Sequence, residues 1–244
     1  MEVHAHTHTA RKKWTHYLWE FLMLFLAVFC GFLAEYQLEQ TIERHREKEF
    51  ILSMIEDAMT DTSNIRAAIP LNLERAGYAD SLSIACMNYR GTQKENTKIY
   101  ESHRNCIYRP DLVYPTDRTL FQLKNSGGMR LIRNKKATES IIAYDNSGKR
   151  LINQQAYYET YLNDVTNSST QLLNFLVLWG HSRKEMHPYD TVKLINPDHL
   201  KLMEMGNKSM IFRGILVQYI NRLNEMEKES VVLINTLKKE YHLK

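Results

Sequence analysis

The chain has 244 residues, 43% of them hydrophobic and 25% charged, with a net charge of +4 and a pI near 8.8. That length accommodates one ordinary domain plus an anchor and does not force two domains. Nine Gly and five Pro exclude long disordered linkers and a turn-rich all-β fold, and +4 is too dilute over this chain for a nucleic-acid partner.

His4, His6 and His8 alternate with other residues at the N-terminus, and His16 follows. Imidazoles at that density attract transition metals, but three of them on an unshaped tail read as incidental affinity. From Phe21 to Ala34 the chain runs FLMLFLAVFCGFLA without a charge, and residues 17–36 extend this to 20, broken only by Glu20 and Glu35. As a helix this stretch reaches about 30 Å, the thickness of a bilayer core. Trp14, Tyr17 and Trp19 crowd one end and Tyr36 marks the other, where amphipathic rings prefer the interface. A buried core helix rarely carries such flanks. Phe32 spoils a signal-peptidase site ending at Ala34, and Phe29 spoils a lipoprotein site at Cys30. An uncleaved signal anchor is the expectation. Arg11, Lys12 and Lys13 before it, against Glu35, Glu39 and Glu43 after it, place the N-terminus in the cytoplasm and the rest in the periplasm of a bacterial inner membrane. Glu20, Ala27, Gly31 and Ala34 share one stripe of this helix, where small residues let a second copy approach.

Beyond the span, Leu38, Ile42, Ile51, Ile55 and Ala58 recur at helical spacing as a stalk that nothing interrupts before Pro70. A second helix is expected over Leu71–Tyr89, and loop with at most a short helix over Gly91–Pro115. Thr116 and Asp117 look like a helix start, Arg118–Asn125 like a short helix, and Gly127–Gly128 like its end. A long helix follows from near Lys136. FLVLW at Phe175–Trp179 reads as core, and Gly180–Pro188 as a turn. Asn196-Pro197-Asp198 opens a short helix, and a final long one covers Lys208–Tyr241. The expected fold is all-α: a cytoplasmic tail over 1–16, a transmembrane helix over 17–36, and a soluble domain over 37–244 that begins as a stalk and folds as a helical bundle.

The stretches RKKWTHYLWEFLMLFLAVFCGFLAEY (Arg11–Tyr36) and RTLFQLKNSGGMRLIRNK (Arg118–Lys135) resemble a family of Bacteroidota-type membrane proteins defined only as a domain of unknown function. The resemblance implies an inner-membrane protein with one N-terminal span. It implies no activity, cofactor or catalytic residue.

Three constellations carry candidate chemistry. Arg118, Lys124, Arg130, Arg133, Lys135 and Lys136 form an acid-free basic run around the Gly-Gly turn, suited to phosphate or lipid headgroups, or simply to solvent. Cys86 and Cys106, the cysteines outside the span, are candidates for a disulfide in an oxidising compartment. His181, Glu185 and His187 form a loose cluster without the spacing of a helical zinc site, and read as loop residues. No catalytic motif emerges and no cofactor is expected. The reading that follows is a membrane-anchored interaction or sensing module, with the bilayer, a second copy or another envelope protein as partners. An anionic-ligand or lipid-headgroup module and a membrane-tethered metal-dependent enzyme are its rivals.

Overall fold

The computed structural model describes residues 14–108, 111–180 and 191–243. His4, His6, His8, His181, Glu185 and His187 lie outside them. Among the described residues there are six α-helices, one 3-10 turn and no strand: α1 (Trp14–Met87), α2 (Gln93–Ile107), α3 (Arg118–Asn125), the turn Gly128–Leu131, α4 (Lys135–Ser169), α5 (Phe175–Gly180) and α6 (His199–Glu240). The chain divides into two compact units, residues 1–49 and 50–244.

The first unit is the start of α1. It is the one helix among the described residues long and apolar enough to cross a membrane, with a mean hydropathy of 2.0 over 18 residues and none of that window buried. Phe21, Leu24 and Val28 all stand exposed. Glu20, Ala27, Gly31 and Ala34 are exposed too, and a Cβ added at Gly31 would meet nothing within 4 Å.

The second unit is a bundle built on three long helices. Asp61 of α1 meets Tyr144 of α4, and Arg75 meets Tyr158, so α1 and α4 run parallel with a constant offset. Gly206 of α6 lies against Cys86, Ser209 donates to the Ala79 carbonyl, and Arg66 pairs with Glu227, so α6 runs antiparallel to both. Ile51, Met54, Ile65 and Leu82 from α1, Leu151 from α4 and Phe212, Leu216 and Leu233 from α6 are fully buried between them.

Several boundaries depart from the sequence reading. Stalk and second helix are one element, because α1 passes through Pro70 without ending. Pro70 is solvent-exposed, so the carbonyl its ring deprives of a partner faces water, and packing on either side outweighs the proline penalty. The stretch expected to be irregular holds α2. Gly91, at φ +90°, makes the turn that a side chain would strain, and Thr92 and Glu95 cap α2 reciprocally. The short and long C-terminal helices are likewise one, α6, capped by Asp198. Gly127 does take the left-handed conformation, at φ +68°, just beyond α3. Of the FLVLW run, Leu178 is buried but Leu176 is not.

Candidate functional site

The link from α2 to α3 lies across the bundle and is held by buried polar side chains. Arg75 donates to the Tyr108 carbonyl at 2.9 Å and to the Asp111 carboxylate at 3.1 Å, and Asn72 donates to the Asp111 carbonyl at 3.0 Å. The Val113 amide donates to the Tyr219 hydroxyl, and Gln155 donates to the Val113 carbonyl. Asp61, fully buried, accepts from the Thr116 amide and hydroxyl and from the Tyr144 hydroxyl. Asp57 accepts from Arg118 at 2.5 Å and from the Thr119 amide at 3.3 Å. Backbone without secondary structure needs such partners where it is buried, as at Val113, since each unpaired group costs about 1–3 kcal/mol. The start of α3 belongs to this scheme. Asp117 makes no side-chain cap, and Asp57, from a different helix, takes the Thr119 amide in its place.

Burial pushes the hydroxyls of Tyr144, Tyr158 and Tyr219 upward, and the Asp61 charge raises Tyr144 further. All three stay protonated and serve as hydrogen-bonding groups. Tyr158 stacks edge-on against Phe212 and Tyr219, with ring centroids 5.3 and 5.4 Å away.

Beside this network, α3 and α4 enclose a cleft of about 460 Å³. Pro115, Leu120, Phe121, Ile152 and Met226 give it an apolar lining, and Lys124, Asp145 and Lys149 stand among its polar groups. Pro115 packs on Gly148, where an added Cβ would lie 3.4 Å from its ring. Lys124 and Lys149 both hold the Asp145 carboxylate, at 2.5 and 2.8 Å. Burial alone would raise Asp145, but the two ammonium groups outweigh it and hold the carboxyl below its ordinary range. Phe121, although apolar, is 65% exposed.

The six basic residues do not form one patch. Arg118 is tied to Asp57 and Glu56, and Lys124 to Asp145. Arg130, Arg133, Lys135 and Lys136 lie together around the start of α4, where Lys136 also reaches Glu240 of α6 at 3.2 Å. Sequence reasoning missed Asp57 and Asp61, which fell within the stalk, and Asn72 and Arg75, which fell within the expected second helix. Their spacings of four and three residues, interleaved with Ala58, Ile65, Ala68 and Ala76, were the available signal.

The disulfide is corrected: Cys86 and Cys106 are free thiols, each buried. The α1–α2 hairpin turns at residues 88–92, so Cys86 sits near its tip, against Gly206. Cys106 sits at the other end of α2, near Arg75. Arg75 is eleven residues before Cys86, about 16 Å along the helix, too far for a bond that needs Cα atoms within about 7 Å. Burial raises both thiols to about 12. His103 on α2 is also buried, edge-on to Phe175, and desolvation lowers it to about 3. Among the described residues no cluster of His, Cys, Asp and Glu could hold a metal ion.

No family model, curated protein or solved structure matches this chain.

Proposed function

We propose that the chain is an inner-membrane protein anchored by the start of α1, with its N-terminus in the cytoplasm, and that its bundle acts in the periplasm as a non-enzymatic binding or sensing module. The anchor is supported by the uncharged run Phe21–Ala34, exposed along its length, and the orientation by Arg11, Lys12 and Lys13 before it. The observation that carries the functional part is the α3–α4 cleft. Its volume suits a small molecule or a partner's side chains. Its strongest polar groups are already committed: Tyr144 donates to Asp61, and both lysines hold Asp145. Groups so engaged orient and recognise; general acid–base or nucleophilic chemistry needs a proton or lone pair aimed at a substrate.

A photoreactive phenylalanine analogue at Phe121 tests this in living cells. The expected result is a discrete adduct from Phe121, none from the equally exposed Tyr157, and its loss when Asn153→Trp fills the cleft. The same pattern at both positions, or an adduct indifferent to Asn153→Trp, contradicts the reading. The orientation is tested separately by labelling intact cells with an impermeant maleimide at Lys94→Cys, since Cys86 and Cys106 are buried. Absence of label in intact cells, with label after lysis, places the bundle in the cytoplasm instead.

A further inference from the structure

The register between the long helices brings basic residues from distant parts of the sequence to one end of the bundle. Tyr144 lies beside Asp61 and Tyr158 beside Arg75, so the start of α4 at Lys135 falls level with the first turn of the bundle's share of α1, near Leu52. The antiparallel α6 ends at the same level, and Glu240 there accepts from Asn134 at 2.8 Å and from Lys136. Arg130, Arg133, Lys135 and Lys136 are thus joined by Lys238 and Lys239 from the last turn of α6. This is the end of the unit that opens at Phe50, directly after the segment carrying the membrane helix.

Lys135 pairs here with Glu139 and Lys136 with Glu240, and, Arg133 left aside, Arg130, Lys135, Lys136, Lys238 and Lys239 outnumber those two carboxylates by three among the described residues. Including the next turn, where Arg118 sits between Asp57 and Glu56, leaves a surplus of two. Residues 43–49, which lead into it, are balanced, with Arg44, Arg46 and Lys48 against Glu43, Glu47 and Glu49. The helix ends do not create the surplus, because the positive start of α4 and the negative end of α6 offset one another. Arg130, Arg133, Lys135, Lys136 and Lys239 are all exposed.

We infer that this end of the bundle is a docking surface for an anionic bilayer, through the side chains of Lys135, Lys136, Lys238 and Lys239 together with Arg130. The occupant is a lipid surface, because the cations are long, all but the half-buried Lys238 exposed, and spread over the turn before α4 and the ends of two helices. A free phosphate needs a concave site with converging donors, whereas headgroups at many positions can each meet one lysine. The chain supplies the local concentration itself, since the segment fit to cross the bilayer is covalently continuous with Phe50.

Lysine-acetylation footprinting of the full chain tests this in nanodiscs of phosphatidylcholine, with and without 30% phosphatidylglycerol. In anionic discs Lys135, Lys136, Lys238 and Lys239 should react about threefold or more slowly, and high salt should restore them. Lys94 and Lys98 on α2 should not change. Equal reactivity in both lipids, or an equal drop on α2, overturns the proposal. Free glycerol phosphate added to zwitterionic discs should give no protection; protection there points to a soluble anion and also overturns it. In Lys135→Glu/Lys239→Glu, with helicity checked by circular dichroism, protection of Lys136 should disappear. Its persistence counts against a collective charge effect, and the wild-type footprint decides alone if that variant does not fold.

Discussion

The two parts of α1 invert each other. Over 14–39 every residue is exposed, and the most apolar ones are as open as the polar ones at the ends. Over Ile51–Met87, Asp57, Asp61, Asn72 and Arg75 are nearly or fully buried, while Leu52, Met59 and Leu73 face out. One unbroken helix therefore meets two different surroundings. In the first part the helix is long and apolar enough to cross a membrane. In the second, the buried polar residues fasten a link whose described residues 111–117 form no helix or strand. Apolarity reports burial only where backbone pairing is already settled within the helix; beside an irregular segment the buried position goes to the residue that can satisfy it.

The strongest way to break this contrast is Asp61→Ala. It leaves the Thr116 amide and the Tyr144 hydroxyl without their acceptor inside the bundle. The expected cost is about 4 kcal/mol, or about 10 °C in Tm followed by circular dichroism. Leu52→Ala, more hydrophobic but 44% exposed, should change stability by less than about 1 kcal/mol. If the leucine change costs as much as the aspartate change, the network is not what holds the link down.

The first part of α1 gives the converse. Val28→Arg places a charge at a position 74% exposed, which an aqueous helix surface would tolerate. At the centre of a bilayer span the same change opposes insertion by about 3 kcal/mol. Alkaline extraction of membranes reads the outcome: the variant should shift toward the soluble fraction, and Leu52→Arg should not. Equal retention of wild type and Val28→Arg would mean that lipid is not the solvent of this face.

What was legible follows the same line. The long apolar N-terminal helix, the all-helical class, the α3 boundaries and the left-handed Gly127 rest on local properties, namely hydropathy, periodicity and backbone freedom, and a single segment states these. The Thr92–Glu95 capping box was equally local, but the glycine, asparagine and proline residues around it drew α2 into a loop reading. Pro70 misled in the opposite sense, because its penalty is set against tertiary packing that no window contains. The site was largely illegible. Asp57, Asp61 and Arg75 matter through partners 33 to 83 positions away. The basic run was visible as composition, yet only the fold could separate Arg118 and Lys124 from the other four and add Lys238 and Lys239.

A smaller effect separates the halves by pH. His103 is buried, and neither ring nitrogen has a partner among the described residues. Its folded value of about 3 lies below the ordinary 6.5, so below 6.5 the unfolded chain binds a proton that the folded chain refuses. Stability from this group is complete above pH 6.5 and declines as the pH falls from 6.5 toward 3. From pH 7 to pH 5 the loss is about 2 kcal/mol. His103→Leu should flatten denaturation midpoints over that interval, while alkaline extraction of the anchor stays unchanged. A slope that survives the substitution assigns the dependence to other groups.

The smallest contrast lies within α6 and needs one substitution made twice. At Gly206 an added Cβ would sit 3.2 Å from the Cys86 Cβ and 3.3 Å from the Ser83 carbonyl oxygen. The second contact is backbone, so it yields only if the two helices part, and parting stretches the 2.7 Å bond from Ser209 to the Ala79 carbonyl one turn on. Gly206→Ala should therefore cost about 1–2 kcal/mol in spite of its better helix propensity. Eight residues later, a Cβ at Gly214 meets nothing within 4 Å. Gly214→Ala should raise stability by as much as about 1 kcal/mol by limiting the unfolded chain. Opposite shifts in the urea midpoint locate the close approach of α1 and α6 at Gly206. Shifts of the same sign would mean that propensity alone governs this helix, and that α1 and α6 are not held as tightly as the Cys86 contact requires.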